Sequence, residues 1–131
     1  MAKALTRVAI VDDDASVRKA LARLLSLSSF DIKMFASADE FLASVQEAPP
    51  ECLVLDLHMP EITGLELQRY LLRLGIHIPM IVITGDNEPG LRERCESLGA
   101  ATFLKKPVDP TLLIGKINAA IHMRSGAPEA E

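Results

Sequence analysis

The chain has 131 residues, enough for one domain with a single substantial core, and its 49% hydrophobic and 24% charged residues are ordinary for a globular protein. A net charge of −4 argues against direct nucleic-acid binding by this domain, because phosphate contacts need clustered Lys and Arg. No apolar run approaches the roughly 20 residues of a membrane helix, and the stretch from Met1 to Arg7 lacks the long apolar region of a secretory signal.

Arg7-Val8-Ala9-Ile10-Val11 is a short apolar run that stops at Asp12-Asp13-Asp14, which predicts a strand with acids at its carboxyl end. Asp14 is expected to cap a helix, because Val17, Leu21, Leu24 and Leu25 then recur at helical spacing. Ser28-Ser29 closes that helix, and Asp31 to Phe35 follows as a more amphipathic strand. Ser37-Ala38-Asp39-Glu40 has the pattern of a capping box and opens a helix that buries Phe41, Leu42 and Val45. Pro49-Pro50 ends it.

Cys52-Leu53-Val54-Leu55-Asp56 is apolar without alternation up to its acid, the mark of a strand covered on both faces, and Pro60 forbids continuation. Thr63-Gly64-Leu65-Glu66 is a second capping box, so Met59 to Ile62 is a loop and a helix runs to about Leu74, stopped by Gly75. Pro79 to Gly85 is another apolar strand, ending in Thr84. Glu88 to Leu98 should be a weak helix, with Pro89 and Gly90 at its start and a thin apolar stripe, which suits an element that moves.

Thr102-Phe103-Leu104 is a short strand finishing at Lys105-Lys106-Pro107. Asp109-Pro110 opens the last helix, which buries Leu113, Ile117, Ala120 and Ile121. A domain over 1–124 and a linker or tail over 125–131 follow from the Ser-Gly-Ala-Pro composition after Arg124. Cys52 and Cys95 have neither zinc-site nor redox-pair spacing, so both are expected as buried small hydrophobes, in keeping with a cytoplasmic protein. His77 and His122 suggest no role. The alternation of strands and helices predicts an α/β fold, a doubly wound five-stranded parallel sheet with helices on both faces.

Polar residues follow the first, third, fourth and fifth apolar runs: Asp12 and Asp13, Asp56, Thr84, Lys106. In a parallel sheet these ends share one edge, where open α/β sheets gather their ligands. Close carboxylates repel by about 4 kcal/mol per pair at an effective dielectric near 20. Such a cluster shares protons or takes a hard divalent cation, and oxygen ligands with room for water suit Mg²⁺. A dianionic group could then approach Asp56, a carboxylate able to attack phosphorus, with a lysine and a hydroxyl facing the phosphoryl oxygens.

With Val11-Asp12-Asp13, Asp56-Leu57-His58-Met59-Pro60 plus Gly64, Thr84-Gly85 and Phe103-Leu104-Lys105-Lys106-Pro107 in this order, the chain resembles a response-regulator receiver domain of two-component signalling, from about Arg7 to Met123. The resemblance implies a flavodoxin-like, receiver-type sheet. It implies that Asp56 is phosphorylated by a histidine kinase or phosphotransfer protein, without the domain being an enzyme in its own right. By the same resemblance Asp13, Asp56 and the main-chain carbonyl of His58 ligate Mg²⁺, and Asp12 acts through water. Thr84 and Lys106 hold the phosphoryl oxygens, and Phe103 changes rotamer on activation. Lys106-Pro107 is implied to be cis. Lys105 competes with Lys106 for the site role, and Lys106 is preferred because it directly precedes Pro107. His58 and Asp86, each two residues beyond a site residue, would tune phosphoryl lifetime.

The output implied is a homodimer through the last two helices and the Phe103 strand, or docking of a separate effector or a C-terminal output domain. Two other readings compete. Asp12 and Asp14 imitate the Asp-x-Asp nucleophile of Mg²⁺-dependent aspartyl-phosphate phosphohydrolases, although Asp14 is better used as a helix cap and 131 residues leave no room for a substrate-covering domain. A docking module that no longer uses phosphorylation would not need the complete acceptor set.

Overall fold

The computed structural model describes residues 5–59 and 61–124. Strands and helices alternate as β1 (Thr6–Val11), α1 (Ala15–Ser26), β2 (Phe30–Phe35), α2 (Ala38–Val45), β3 (Cys52–Asp56), α3 (Gly64–Arg73), β4 (Met80–Thr84), α4 (Leu91–Ser97), β5 (Ala100–Lys105) and α5 (Pro110–Arg124). The sheet order is β2-β1-β3-β4-β5, with every neighbouring pair parallel. After β1 the chain steps outward to β2, then returns across β1 to β3. That reversal puts the topological switch point between β1 and β3, beside their carboxyl ends.

Unbroken apolar runs explain why β3 and β4 lie inside: every residue of both strands is buried. On one face Val8, Ile10, Val54, Ile81 and Ile83 pack beneath α1 and α5 through Leu21, Leu25, Leu113 and Ile117. On the other, Ala9, Val11, Leu53 and Leu55 pack beneath α2 and α3 through Phe41, Val45, Leu67 and Leu71. A smaller cluster of Leu57, Val82, Leu91, Cys95 and Ala100 seats α4 on the same side. The doubly wound sheet is therefore as expected. Burial pushes the Cys52 thiol up to about 12, which leaves it an inert packing group.

Side-chain caps start the helices where the sequence implies them. Asp14 accepts from the amides of Ser16 and Val17, and Thr63 and Glu66 complete a reciprocal capping box. At α2 the box is open: Ser37 Oγ accepts from Glu40 N, but the Glu40 carboxylate turns to Ala36 N instead of Ser37 N. The helix expected over Glu88 to Leu98 is shorter, Leu91–Ser97, because Gly90 enters it with φ +81° and supplies no capping side chain. The last strand is longer than expected, since Ala100 already pairs with Met80. Leu42 and Ile121 are half-buried rather than buried. Pro60 and the expected tail over 125–131 lie outside the described residues.

Gly64 places the loop after β3. A Cβ there would lie 2.7 Å from the Asp56 carbonyl oxygen and 2.8 Å from Leu57 Cα, both backbone atoms that cannot yield cheaply. Gly64→Ala should therefore cost about 1–3 kcal/mol in urea unfolding, the range for overpacking. A cost below the scatter of surface substitutions would show that the loop can shift aside.

Candidate functional site

Register carries the four strand-end residues to one edge. Val11 pairs with Leu55, so Asp12, the residue that follows β1, stands beside Asp56 at the switch point. Asp56 pairs with Ile83, which sets Thr84 one step beyond it, and Thr84 pairs with Lys105, which leads into Lys106. Carboxylate oxygens of Asp12, Asp13 and Asp56 lie within 4.8 Å of one another. Asp12 and Asp56 are buried, at 1% and 4% exposure, whereas Asp13 is exposed. Buried like charges this close need a compensating cation.

Lys106 supplies one. Its Nζ lies 3.4 Å from Asp12 Oδ2 and 3.4 Å from Asp56 Oδ1. Burial alone would favour the neutral amine, but the Asp56 and Asp12 carboxylates outweigh it and hold Lys106 above the ordinary lysine range. For Asp56 the balance runs the other way. Burial first, then the Asp12 charge, raise its carboxyl above the ordinary value, and Lys106 only partly offsets them. A single ammonium among three acids leaves the pocket short of positive charge. The all-oxygen donor set, with Asp13 open to solvent, fits a hard cation that retains water, such as Mg²⁺.

The other expected residues fall around this pocket. Thr84 is fully buried, and its Oγ1 accepts from Asp86 N at 3.1 Å, which leaves the hydroxyl proton free to point elsewhere. Lys105, the competitor of Lys106, is drawn away: its Nζ bonds the Asp86 carbonyl at 2.5 Å and also Asn87 Oδ1. The Lys106-Pro107 peptide is cis. Phe103 is half-buried against the α4 cluster, with the Arg92 guanidinium 5.7 Å from its ring centroid. The His58 imidazole stays outside the acid cluster, and its Nε2 lies 3.0 Å from Asp86 Oδ2.

Three contacts escaped the sequence. His58 and Asp86 each follow a site residue by two positions, but nothing along the chain says that they pair across the mouth of the pocket. Gln68 is fully buried on α3 and donates to the carbonyls of Cys95 and Leu98, tying down the end of α4. A lone glutamine between Leu67 and Arg69 carries no such signal. Arg18 on α1 donates to the Asp12 carbonyl at 2.7 Å.

A family model described as the response regulator receiver domain matches residues 8–118. The transcriptional regulatory protein FixJ of Rhizobium meliloti is 42% identical over 113 residues, 86% of this chain and 55% of that protein. The response regulator protein TodT of Pseudomonas putida is 38% identical over 123 residues, 91% of this chain and 54% of its own length. The chain thus spans about half the length of the curated relatives it matches. Among solved structures, FixJ-N superposes with a TM-score of 0.83 at 40% identity, covering 93% of this chain and 96% of that one.

Because the folded state binds the Asp56 proton more tightly than the unfolded chain does, ionising Asp56 costs stability. That loss sets in as pH rises from the ordinary carboxylate value through the raised one. Asp56→Asn should therefore be more stable than the parent at pH 7, with the gain shrinking toward pH 3. Urea unfolding at the two pH values checks this; a variant destabilised at pH 7 would contradict it.

Proposed function

Since the chain belongs to the response regulator receiver domain family, we propose that Asp56 is its phosphoacceptor, taking the phosphoryl group from a phosphohistidine of a histidine kinase or phosphotransfer protein. The observation that carries this reading is the convergence of Asp12, Asp13, Asp56 and Lys106 on one pocket at the switch point. An Asp56 carboxylate oxygen attacks phosphorus, the phosphorus–nitrogen bond breaks, and the electron pair leaves with the imidazole, which takes up a proton. The reaction forms one acyl phosphate per domain, so the protein acts as a signalling partner rather than a turnover enzyme.

Asp13, Asp56 and the His58 carbonyl would hold Mg²⁺ directly, with Asp12 behind water. When bound there, the cation supplies neutralisation of the incoming dianion. Lys106, already between Asp12 and Asp56, is placed to follow one phosphoryl oxygen as the charge moves onto phosphorus. The Thr84 hydroxyl has a proton to donate to another. Each charged hydrogen bond contributes roughly 1.5–3 kcal/mol, so the pair could add about 3–6 kcal/mol to the phosphorylated state. Moving a domain from mostly inactive to mostly active takes about 5.5 kcal/mol.

Motion of Thr84 toward the phosphoryl group would open space for the Phe103 ring, and α4 sits directly against that ring. The face formed by α4, β5 and α5 is the proposed output surface, for a homodimer or for an effector or output domain such as the regulatory relatives suggest. An apolar groove of about 490 Å³, lined by Val17, Leu21, Leu24, Pro107 and Val108, opens beside Lys106 and gives a phosphodonor protein an apolar surface to rest on. The negative net charge speaks against nucleic acid as a direct partner of this domain. Asp14 is spent on capping α1, which speaks against an Asp-x-Asp phosphohydrolase.

Labelling with acetyl phosphate tests the reading. The parent should take up no more than one phosphoryl group per chain, only with Mg²⁺ present, and Asp56→Asn should lose the label. Undiminished labelling of Asp56→Asn, or sustained turnover of a phosphate monoester, would overturn it. Sedimentation with and without beryllofluoride tests the dimer separately, an unchanged mass counting against it.

A further inference from the structure

Asp13 has no hydrogen-bond partner for its side chain among the described residues, yet its carboxylate belongs to the cluster. Something other than its own contacts must hold it there. Its neighbours are heavily tied. Asp14 caps α1, and Asp12 Oδ1 accepts from Asp14 N at 2.9 Å. Asp12 N donates to Phe35 O at 3.2 Å, the last bond that β1 shares with β2 on this side. The Asp12 carbonyl, which leads into Asp13, finds no strand partner among the described residues and takes the Arg18 guanidinium at 2.7 Å.

That carbonyl and the Asp13 amide belong to one rigid peptide plane, so fixing its oxygen fixes the direction in which Asp13 leaves the strand. Arg18 is also badly placed for an ordinary surface arginine. It is half-buried in the opening turns of α1, where the helix dipole disfavours a cation. The Asp12 carbonyl and the adjacent acids offset that cost.

We propose that Arg18 is a positioning residue for cation binding: its bond to the Asp12 carbonyl sets the Asp12–Asp13 peptide so that the Asp13 carboxylate points into the cluster. The proposal rests on the Mg²⁺ reading given above. It makes a prediction opposite in sign to the simpler idea that Arg18 is a counter-charge for the acids. A counter-charge competes with Mg²⁺, so removing it tightens binding. A positioning residue does the reverse, because Asp13 loses its orientation. Outer contacts of this kind typically change metal affinity by about tenfold or more.

Mg²⁺ affinity measured by calorimetry, with urea unfolding run in parallel, separates these cases. Arg18→Gln, whose amide nitrogen sits two bonds short of the guanidinium nitrogen that makes this contact, should bind Mg²⁺ about tenfold more weakly, and Arg18→Lys, whose ammonium donor reaches one bond further than the Gln amide, should recover much of the loss. In an Asp13→Asn background Arg18→Gln should add little further weakening, because the effect passes through Asp13. Equal or tighter binding by Arg18→Gln overturns the proposal while leaving the Mg²⁺ site intact; a parent that binds no Mg²⁺ overturns both. One readout needs no substitution. Coupling is reciprocal, so Mg²⁺ should slow solvent exchange of the Arg18 guanidinium protons in the parent. Unchanged exchange would also overturn the proposal.

Discussion

The site depends on one electrostatic constraint, two buried carboxylates held beside each other with a single lysine between them. Asp12 and Asp56 reach this arrangement because β1 and β3 are neighbours in register, and the reversal of winding places their ends at the same crevice. Lys106 arrives from the far edge of the sheet, across β4. Leu53, Val54 and Leu55 hold the acids in place through burial on both faces of β3. The core thus stabilises a pocket whose own charges work against folding, a common price of a binding site.

That same constraint sets the charge balance of the pocket. An acid cluster with one ammonium has a deficit of positive charge, which a divalent cation can fill and a phosphoryl group can then approach. Contacts radiate outward from it on both sides. Toward α1, Arg18 braces the strand end that carries Asp13. Toward α4, Thr84 and Asp86 share a hydrogen bond, Asp86 meets His58, and Lys105 ties its tip to the loop over Asp86 and Asn87. At its other end α4 is pinned by Gln68. Helix α4 has one buried stripe, is held at its carboxyl end and is uncapped at Gly90, so few contacts fix its amino end.

Much of this was legible in the sequence because its physics is local or periodic. The uninterrupted apolar residues of β3 and β4 announced central strands, and the polar residue closing each run announced the edge where chemistry gathers. Asp14 and Thr63 fixed helix starts through short-range hydrogen bonds. The choice of Lys106 over Lys105 needed the family pattern, since adjacent lysines at a strand end look alike until their directions are known. The reach of Gln68, the turn of Arg18 toward a strand-end carbonyl and the meeting of His58 with Asp86 are tertiary facts. Each joins residues whose pairing depends on how elements pack, which no spacing along the chain encodes. Helix α4 starts later than its sequence implies because Gly90 adopts a left-handed backbone, which composition alone marks only as weak.

Lys106 is held by, and needed for, the Asp12–Asp56 pair. A double-mutant cycle read by urea unfolding at pH 7 measures that coupling. Lys106→Met should cost about 1–3 kcal/mol in the parent, where it leaves two buried carboxylates facing each other. In a protein carrying Asp12→Asn and Asp56→Asn the same change should cost almost nothing. An equal cost in both backgrounds would mean that the lysine does not compensate these acids, and the account would fail.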